Sequence, residues 1–324
     1  MTTAEKNTQM QIRCLISNVY DLQKLRISIG NRLVQSFYIQ MGVAPSHKID
    51  EADDVCKGML NSLAHEYELI SERMIASKYS LKKQIATIQK NGELQYIHNE
   101  LDYKLVDEYM SMRKNENDTL KILTKYVHMH PLWDLFFKDI PGCGELMAAN
   151  CIAYLDIEKA RHVSSFWKYC GLDTVTSVNE DGTLETHGRK MSDTEEYEYT
   201  AADGTVKTKK GLTYNPALKS KLIGVLGGCF IKAGQRFGYN KYEECYRGYR
   251  LRLDNMPAHD EKTTGHKHNM AVRYMIKQFL RDLWVTWRSY EGYPVTEPYE
   301  VAYLGHKPHG YNAAQCMAAN NPQG

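Results

Sequence analysis

The sequence lacks any uncharged apolar run approaching the ~20 residues that a membrane-spanning helix needs, and its start, MTTAEKNTQMQIRCL, has neither the basic n-region nor the apolar h-region of a signal peptide. No membrane partner and a cytoplasmic location are therefore expected. Cysteine is sparse in pattern: the eight residues, at 14, 56, 143, 151, 170, 229, 245 and 316, never lie closer than eight apart. That spacing excludes a C-x-x-C zinc knuckle and a small disulfide framework, leaving reduced and mostly buried thiols. There is no G-x-x-x-x-G-K-[ST] loop, dinucleotide fingerprint, G-x-S-x-G elbow or H-E-x-x-H. Nor does an N-terminal β-rich segment supply the spaced acids of two-metal phosphodiester chemistry. Neither a cofactor nor a bound metal is expected. What is present, 43% hydrophobic and 25% charged residues over 324 positions, excludes disorder and a fibrous fold.

The net charge of +2 hides a segregation. Residues 205–290 hold 17 Lys or Arg against six Asp or Glu, an excess of eleven cations, so the rest of the chain carries an excess of nine acids. Residues 179–200 concentrate seven Asp or Glu against two Lys or Arg. A basic segment of this kind suits a polyanion, although solvated helix faces would give the same count.

Proline is missing between Lys48 and His130, and only Gly58 and Gly92 interrupt that stretch. Apolar residues there recur at threes and fours: Leu60, Leu63, Tyr67, Ile70 and Met74 share one face, Tyr103, Val106, Tyr109 and Met110 another, continued by Leu120, Leu123 and Val127. Ile12, Leu15, Val19, Leu22, Leu25, Ile29 and Leu33 show the same period. This predicts a helical arm, residues 1–130, of long antiparallel helices or a coiled coil, whose role is packing or dimerisation. Pro131 closes it. Beyond it, residues 131–293 read as a second domain of shorter helices, at 216–238, 240–253 and about 268–290. The pairs Asp181-Gly182 and Asp203-Gly204 lie between alternating β-favouring residues and predict a β-hairpin insertion over 179–214. Residues 294–324, with Pro294, Pro298, Pro308 and Pro322, read as an extended tail. The predicted fold class is mainly α, a helical arm followed by a helix-hairpin-helix domain with an inserted β-hairpin.

Three constellations carry chemistry. Ile140-Pro141-Gly142-Cys143-Gly144 reads as a helix-hairpin-helix turn, in which Gly142 and Gly144 allow a sharp reversal and the next helix start offers N–H groups to a phosphate. Glu145 at its mouth competes with that role, and a turn without a ligand is the alternative. Tyr242, Tyr246 and Tyr249 interleave with Arg247, Arg250 and Arg252, a pattern suited to stacking bases and pairing phosphates, or to a packed tyrosine stripe beneath solvated arginines. His266 and His268 precede Arg273, Lys277 and Arg281, whose four-residue spacing predicts a linear basic edge along a helix. The nucleic-acid contacts expected are Gly142, Gly144, Tyr246, Arg247, Arg250, His266, His268, Arg273, Lys277 and Arg281.

Ile140 to Gly144, then Phe166, Tyr169 and Gly171-Leu172, then Asn215-Pro216-Ala217-Leu218-Lys219, and finally Gly265 to Lys277 resemble, in that order, the C-terminal domain of bridge-RNA-guided insertion-sequence transposases. That domain is in turn similar to the Nop domain of box C/D ribonucleoproteins and to the nuclease-free Tas proteins associated with tandem interspaced guide RNAs. The resemblance covers about residues 130–290. Two departures separate the chain from the active transposases. They place a RuvC-like domain before the coiled coil, where this chain opens on helix, and a serine beside glycine after the Gly-Leu, where this chain has Ser177 without an adjacent glycine. The resemblance implies a guide-RNA-binding, RNA-guided DNA-targeting protein without its own nuclease domain, partnered by a guide or structured RNA and target DNA and dimeric through its arm. The alternatives are a serine-dependent transposase using Ser177, and a non-specific helix-hairpin-helix DNA-binding scaffold.

Overall fold

A threes-and-fours apolar pattern leaves helix ends to be closed by polar side chains, and the chain does this from its first residues. A computed structural model of the protein describes residues 1–42, 54–178, 182–238 and 240–296. Thr2 and Glu5 form a reciprocal capping box: the Thr2 N–H donates to Glu5 Oε2 at 2.7 Å, and the Glu5 N–H donates to Thr2 Oγ1 at 3.2 Å. Helix α1 then runs Thr3–Gln40, followed by α2 (Asp54–Ala76), α3 (Leu81–Lys90) and α4 (Glu100–Met129). After a wide turn at Trp133–Phe137 come α5 (Glu145–Tyr154) and α6 (Val163–Tyr169). Strands β1 (Thr174–Val178), β2 (Leu184–Gly188), β3 (Glu195–Thr200) and β4 (Val206–Gly211) lead to α7 (Pro216–Ser220), which widens over Lys221–Leu226 and continues as α8 (Gly227–Phe237). The last described helices are α9 (Lys241–Asp254) and α10 (Thr264–Tyr290). The tail expected from 294 lies outside the described residues beyond Thr296. No helix among the described residues is long and apolar enough to cross a membrane.

Two compact units are formed, one of Cys14–Leu123 and one of Met1–Arg13 with the chain from Thr124 onward. In the first, Leu33, Val34 and Phe37 of α1 pack with Met59, Leu60, Leu63 and Ile70 of α2, Ile85 and Ile88 of α3, and Val106 and Tyr109 of α4. Helices α1 and α4 run antiparallel: Arg26 pairs with Glu116, and Gln40, further along α1, reaches Asp102, further back on α4. The buried Glu66 carboxylate accepts the backbone N–H groups of Gln95, Tyr96 and Ile97 at 2.9, 3.1 and 2.8 Å, which satisfies a loop that no ladder serves.

In the second unit α10 is the central element. Ala271, Val272, Met275, Ile276, Phe279, Leu280, Leu283, Trp284 and Trp287 are all buried, and each large apolar side chain contributes about 1.5–3 kcal/mol of gross burial. Phe279 meets the rings of Phe136, Phe230 and Tyr242 at centroid distances of 5.5, 5.4 and 5.5 Å. The first turns of α1 close the end of α5, where Gln9 Nε2 donates to the orphan carbonyls of Ile152 and Leu155 at 2.7 and 2.9 Å.

The β insertion is two hairpins rather than one. Antiparallel β1–β2 starts at Thr174, ahead of the expected 179, and β3–β4 follows as a separate pair. Gly182 at φ 80° and Gly204 at φ 79° both lie in the left-handed region, each between the two strands of its own ribbon. At the second, Asp203 accepts both the N–H and the hydroxyl of Thr205, at 3.0 and 2.6 Å.

One buried titratable group gives the fold a pH dependence. His130 is 2% exposed, its Nδ1 accepts the Leu132 N–H, and its Nε2 has no hydrogen-bond partner among the described residues. Burial pushes its pKa down to about 4, only partly opposed by the charge of Glu5. The unfolded chain therefore takes up the proton first, so this contribution is complete above about pH 6.5 and is lost as pH falls toward 4, by roughly 3 kcal/mol in all. Urea unfolding of His130→Gln, compared with the parent at pH 7.5 and 4.5, is expected to show a shallower loss of stability on acidification.

Candidate nucleic-acid interface

The feet of both hairpins meet on one guanidinium. Arg189, immediately after β2 and 5% exposed, donates from Nε and Nη2 to both oxygens of Asp173 at 2.7–3.0 Å. Its Nη1 donates to Glu195 Oε1 at 2.6 Å and to Thr213 Oγ1 at 3.3 Å. Its carbonyl accepts from Lys219 Nζ on α7 at 2.6 Å. The bond from Asp173, then that from Glu195, pushes the guanidinium pKa up, and Arg189 in return holds the Glu195 carboxyl below its usual range. Lys168, on α6, adds a second cation to Glu195 at 3.3 Å.

A different arginine lies across this foot. Arg273 of α10 passes over Gly188, where an added Cβ would collide with Nη1 and displace the guanidinium from its place over the strand end. Arg273 is half-buried and makes no hydrogen bond or ion pair with a described residue; burial lowers its pKa, with Asp173 opposing in part. Lys219 lies nearby, its pKa lowered first by burial and then by the charge of Arg273. Arg189 holds Asp173 and Glu195 by direct hydrogen bonds, so Asp173 reaches Lys219 and Arg273, and Asp193 reaches Lys219, only through their charge, which opposes the repulsion between the two cations in part. One turn along α10, Lys277 Nζ sits 5.0 Å from the ring centroid of Trp167, whose Nε1 donates to the Lys277 carbonyl.

The other predicted residues fall in several places. Tyr246 is half-buried against α10, its hydroxyl 2.8 Å from His268 Nδ1, and Tyr249 stacks on Tyr274 at 4.3 Å. Both rings are occupied by the neighbouring helix, the packed-stripe arrangement. Arg250 donates to Asp254 at 3.0 Å and to the Thr264 carbonyl at 2.8 Å, joining α9 to the start of α10. Arg247 is exposed and pairs with Glu243, and His266 is exposed on the first turn of α10. Arg281 departs from the expected basic edge. It is buried and clamped to Asp282, which also accepts from Lys241 and Tyr242 at 2.7 and 3.2 Å, because α10 is covered on more sides than one apolar stripe implies.

The turn after Pro141 is braced as well as open. At Gly142, φ is 88° and a Cβ would meet the Cys229 carbonyl at 2.8 Å, while Asn240 Nδ2 donates to the Pro141 carbonyl at 2.8 Å. Gly144, exposed, precedes α5, and the Glu145 carboxylate at its mouth pairs with His128 at 3.4 Å. Ser177 is half-buried in β1, opposite Glu185 in the ladder, and no hydrogen bond joins its hydroxyl to a described histidine or lysine. Cys143, Cys151 and Cys170 are buried, with thiol pKa values raised by desolvation.

Compared with protein-family models and with curated proteins, the chain gives no match. Arg189, Gly188 and Lys219 did not stand out as site residues in the sequence. Lys219 lies within the Asn215–Lys219 motif, but the arginine tie joins positions 6, 16 and 24 residues apart, a spacing with no period.

Replacing Arg189 by Met removes the tie and leaves Asp173 and Glu195 facing each other. Charge-assisted hydrogen bonds of this kind are worth about 1.5–3 kcal/mol each, discounted here by the partly exposed carboxylates. Urea unfolding is expected to show a loss of about 2–3 kcal/mol, with amide exchange accelerated over 174–211 and unchanged in α2 and α3.

Proposed function

We propose that the protein binds nucleic acid, a guide or structured RNA that in turn pairs with target DNA, and that it does so without a nuclease of its own. The observation that carries the reading is the Lys219–Arg273 pair: two half-buried cations, one of them a guanidinium with no hydrogen-bond partner among the described residues, set at the foot of an exposed β insertion. A phosphodiester satisfies that arrangement, since it supplies the missing charge and accepts a bidentate guanidinium. The excess of eleven cations over 205–290 supplies the wider field for a polyanion. The order of motifs shared with the bridge-RNA-guided transposases, Nop domains and Tas proteins supports an RNA as the first ligand and a strand complementary to it as the second. A homodimer formed through the helical arm completes the reading.

The chain purified through high salt with its flanking genomic DNA present is expected to retain one discrete RNA, read by sequencing. Heterogeneous fragments, together with random duplex bound as tightly as RNA, would favour the helix-hairpin-helix scaffold. Strand exchange abolished by Ser177→Ala would favour the recombinase. For Arg273→Ala, RNA affinity is expected to fall about tenfold and the slope of log K against log salt by about 0.7–0.9, with Arg273→Lys intermediate. Light scattering on the eluted chain is expected to give twice the 37.3 kDa of one copy.

A further inference from the structure

The β3–β4 hairpin has no core. No residue of Glu196–Thr200 or Val206–Lys210 is buried, and the two tyrosines, 36% and 41% exposed, are the most covered large hydrophobic side chains of the ribbon. Its two faces nevertheless differ sharply. Directly opposed residues share a face, and the pairing sets Tyr197 against Lys209 and Tyr199 against Lys207 on one side. Glu196 against Lys210, Glu198 against Thr208 and Thr200 against Val206 lie on the other. The acid of the ribbon is thus turned away from the tyrosines. At the foot of the tyrosine face, Glu195 is consumed by Arg189 and Lys168. At its tip, Asp203 meets Lys207 at 3.2 Å in a pair more than half exposed at both ends, which a phosphate displaces readily. Lys209 has no ion-pair partner among the described residues.

We infer that the Tyr197–Tyr199–Lys207–Lys209 face is a binding platform for single-stranded nucleic acid, with bases stacked on the two rings and phosphates on the two lysines. The inference rests on the nucleic-acid reading above and adds a second contact area, on a different element from Arg273. Tyrosines two apart on a strand stand about 6.8 Å apart, close to twice the ~3.4 Å rise per nucleotide of a stacked strand. A splayed strand can therefore lay bases on successive rings. The Tyr197 ring lies beside Gly211, its Cε1 3.4 Å from where a Cβ would stand, and the residue keeps 36% of its surface exposed, Tyr199 41%. Duplex nucleic acid hides its base faces and gains nothing from such rings. The only aliphatic side chain of the six paired rows, Val206, is on the other face, so the tyrosine face offers rings and cations alone.

The test uses the full chain with two fluorescent probes, an oligouridine and a random-sequence duplex of equal length. Tyr197→Ala/Tyr199→Ala is expected to weaken oligouridine binding at least about thirtyfold, since each stacked base is worth about 5- to 150-fold. Duplex binding is expected to stay within about twofold, and Tyr197→Phe/Tyr199→Phe, which keeps the rings, to bind like the parent. Lys207→Ala/Lys209→Ala is expected to lower the salt slope by about 0.7 per lysine. Photocrosslinking with 4-thiouridine in the probe is expected to mark 195–211 in the parent. If the double alanine variant binds oligouridine like the parent while Arg273→Ala is weakened, the platform is overturned and the nucleic-acid reading stands. Equal losses for the alanine and phenylalanine pairs, equal losses on duplex, or no crosslink in 195–211 also overturn it. A parent that binds neither probe overturns the platform, and overturns the nucleic-acid reading as well if the chain also retains no discrete RNA through high salt.

Discussion

Arg189 is the interaction on which the basic half of the molecule depends. A two-stranded ribbon in water is marginal, and here two of them leave the helical body one after the other. Their feet are brought together by one guanidinium that spans Asp173 at the entry to the first, Glu195 at the entry to the second and Thr213 at the exit. The same residue's carbonyl takes Lys219, so α7 is held by the arginine that holds the strands. The geometry suits arginine because its planar fork addresses two carboxylates at once, whereas a lysine would reach only one. Because Arg189 takes the hydrogen bonds of both carboxylates, Lys219 and Arg273 feel Asp173 only through its charge and still repel one another.

Much of the fold is legible in the sequence. Positions such as Ile12, Val19, Leu60, Leu63, Ile70, Val106, Leu123 and Val127 repeat at helical spacing and are all buried. The Asp-Gly pairs announce a β insertion, read from the sequence as one hairpin, whereas the strands form two separate ribbons. What periodicity does not reveal is how many sides of a helix are covered. Reading α10 as one apolar stripe leaves Arg273, Lys277 and Arg281 on a free edge, yet Ala271, Val272 and Val285 are buried as well. On a helix covered so widely, a cation such as Arg281 must find its own acid, and the adjacent Asp282 supplies it. The tyrosines of α9 show the same limit, since a helical stripe of rings looks alike whether it faces a base or, as with Tyr249 on Tyr274, another ring.

The candidate site was less legible because its members are irregularly spaced. Gly188 is meaningful only beneath Arg273, and Arg273 only beside Lys219, and these three come from a strand end, a long helix and a short helix. The turn at Gly142 is the opposite case. Its proline-glycine signature is local, and its conformation follows from the sequence, but the tight fit against the Cys229 carbonyl gives that glycine a packing duty independent of any ligand.

The alternation of the β3–β4 ribbon bears on how this insertion can vary in length. Side chains on a strand change face at every residue, so adding or removing residues in twos, matched on both strands, moves the tip while leaving rings and lysines together on one side. A single added residue in β3 between its foot and Tyr197 would instead turn Glu196 and Glu198 toward the lysines' side and send both rings to the back. The clasp at Arg189 would register neither change, since it grips the ribbon only at its ends. Growth of this element is therefore quantised in pairs by what its surface presents, while its anchorage tolerates any length.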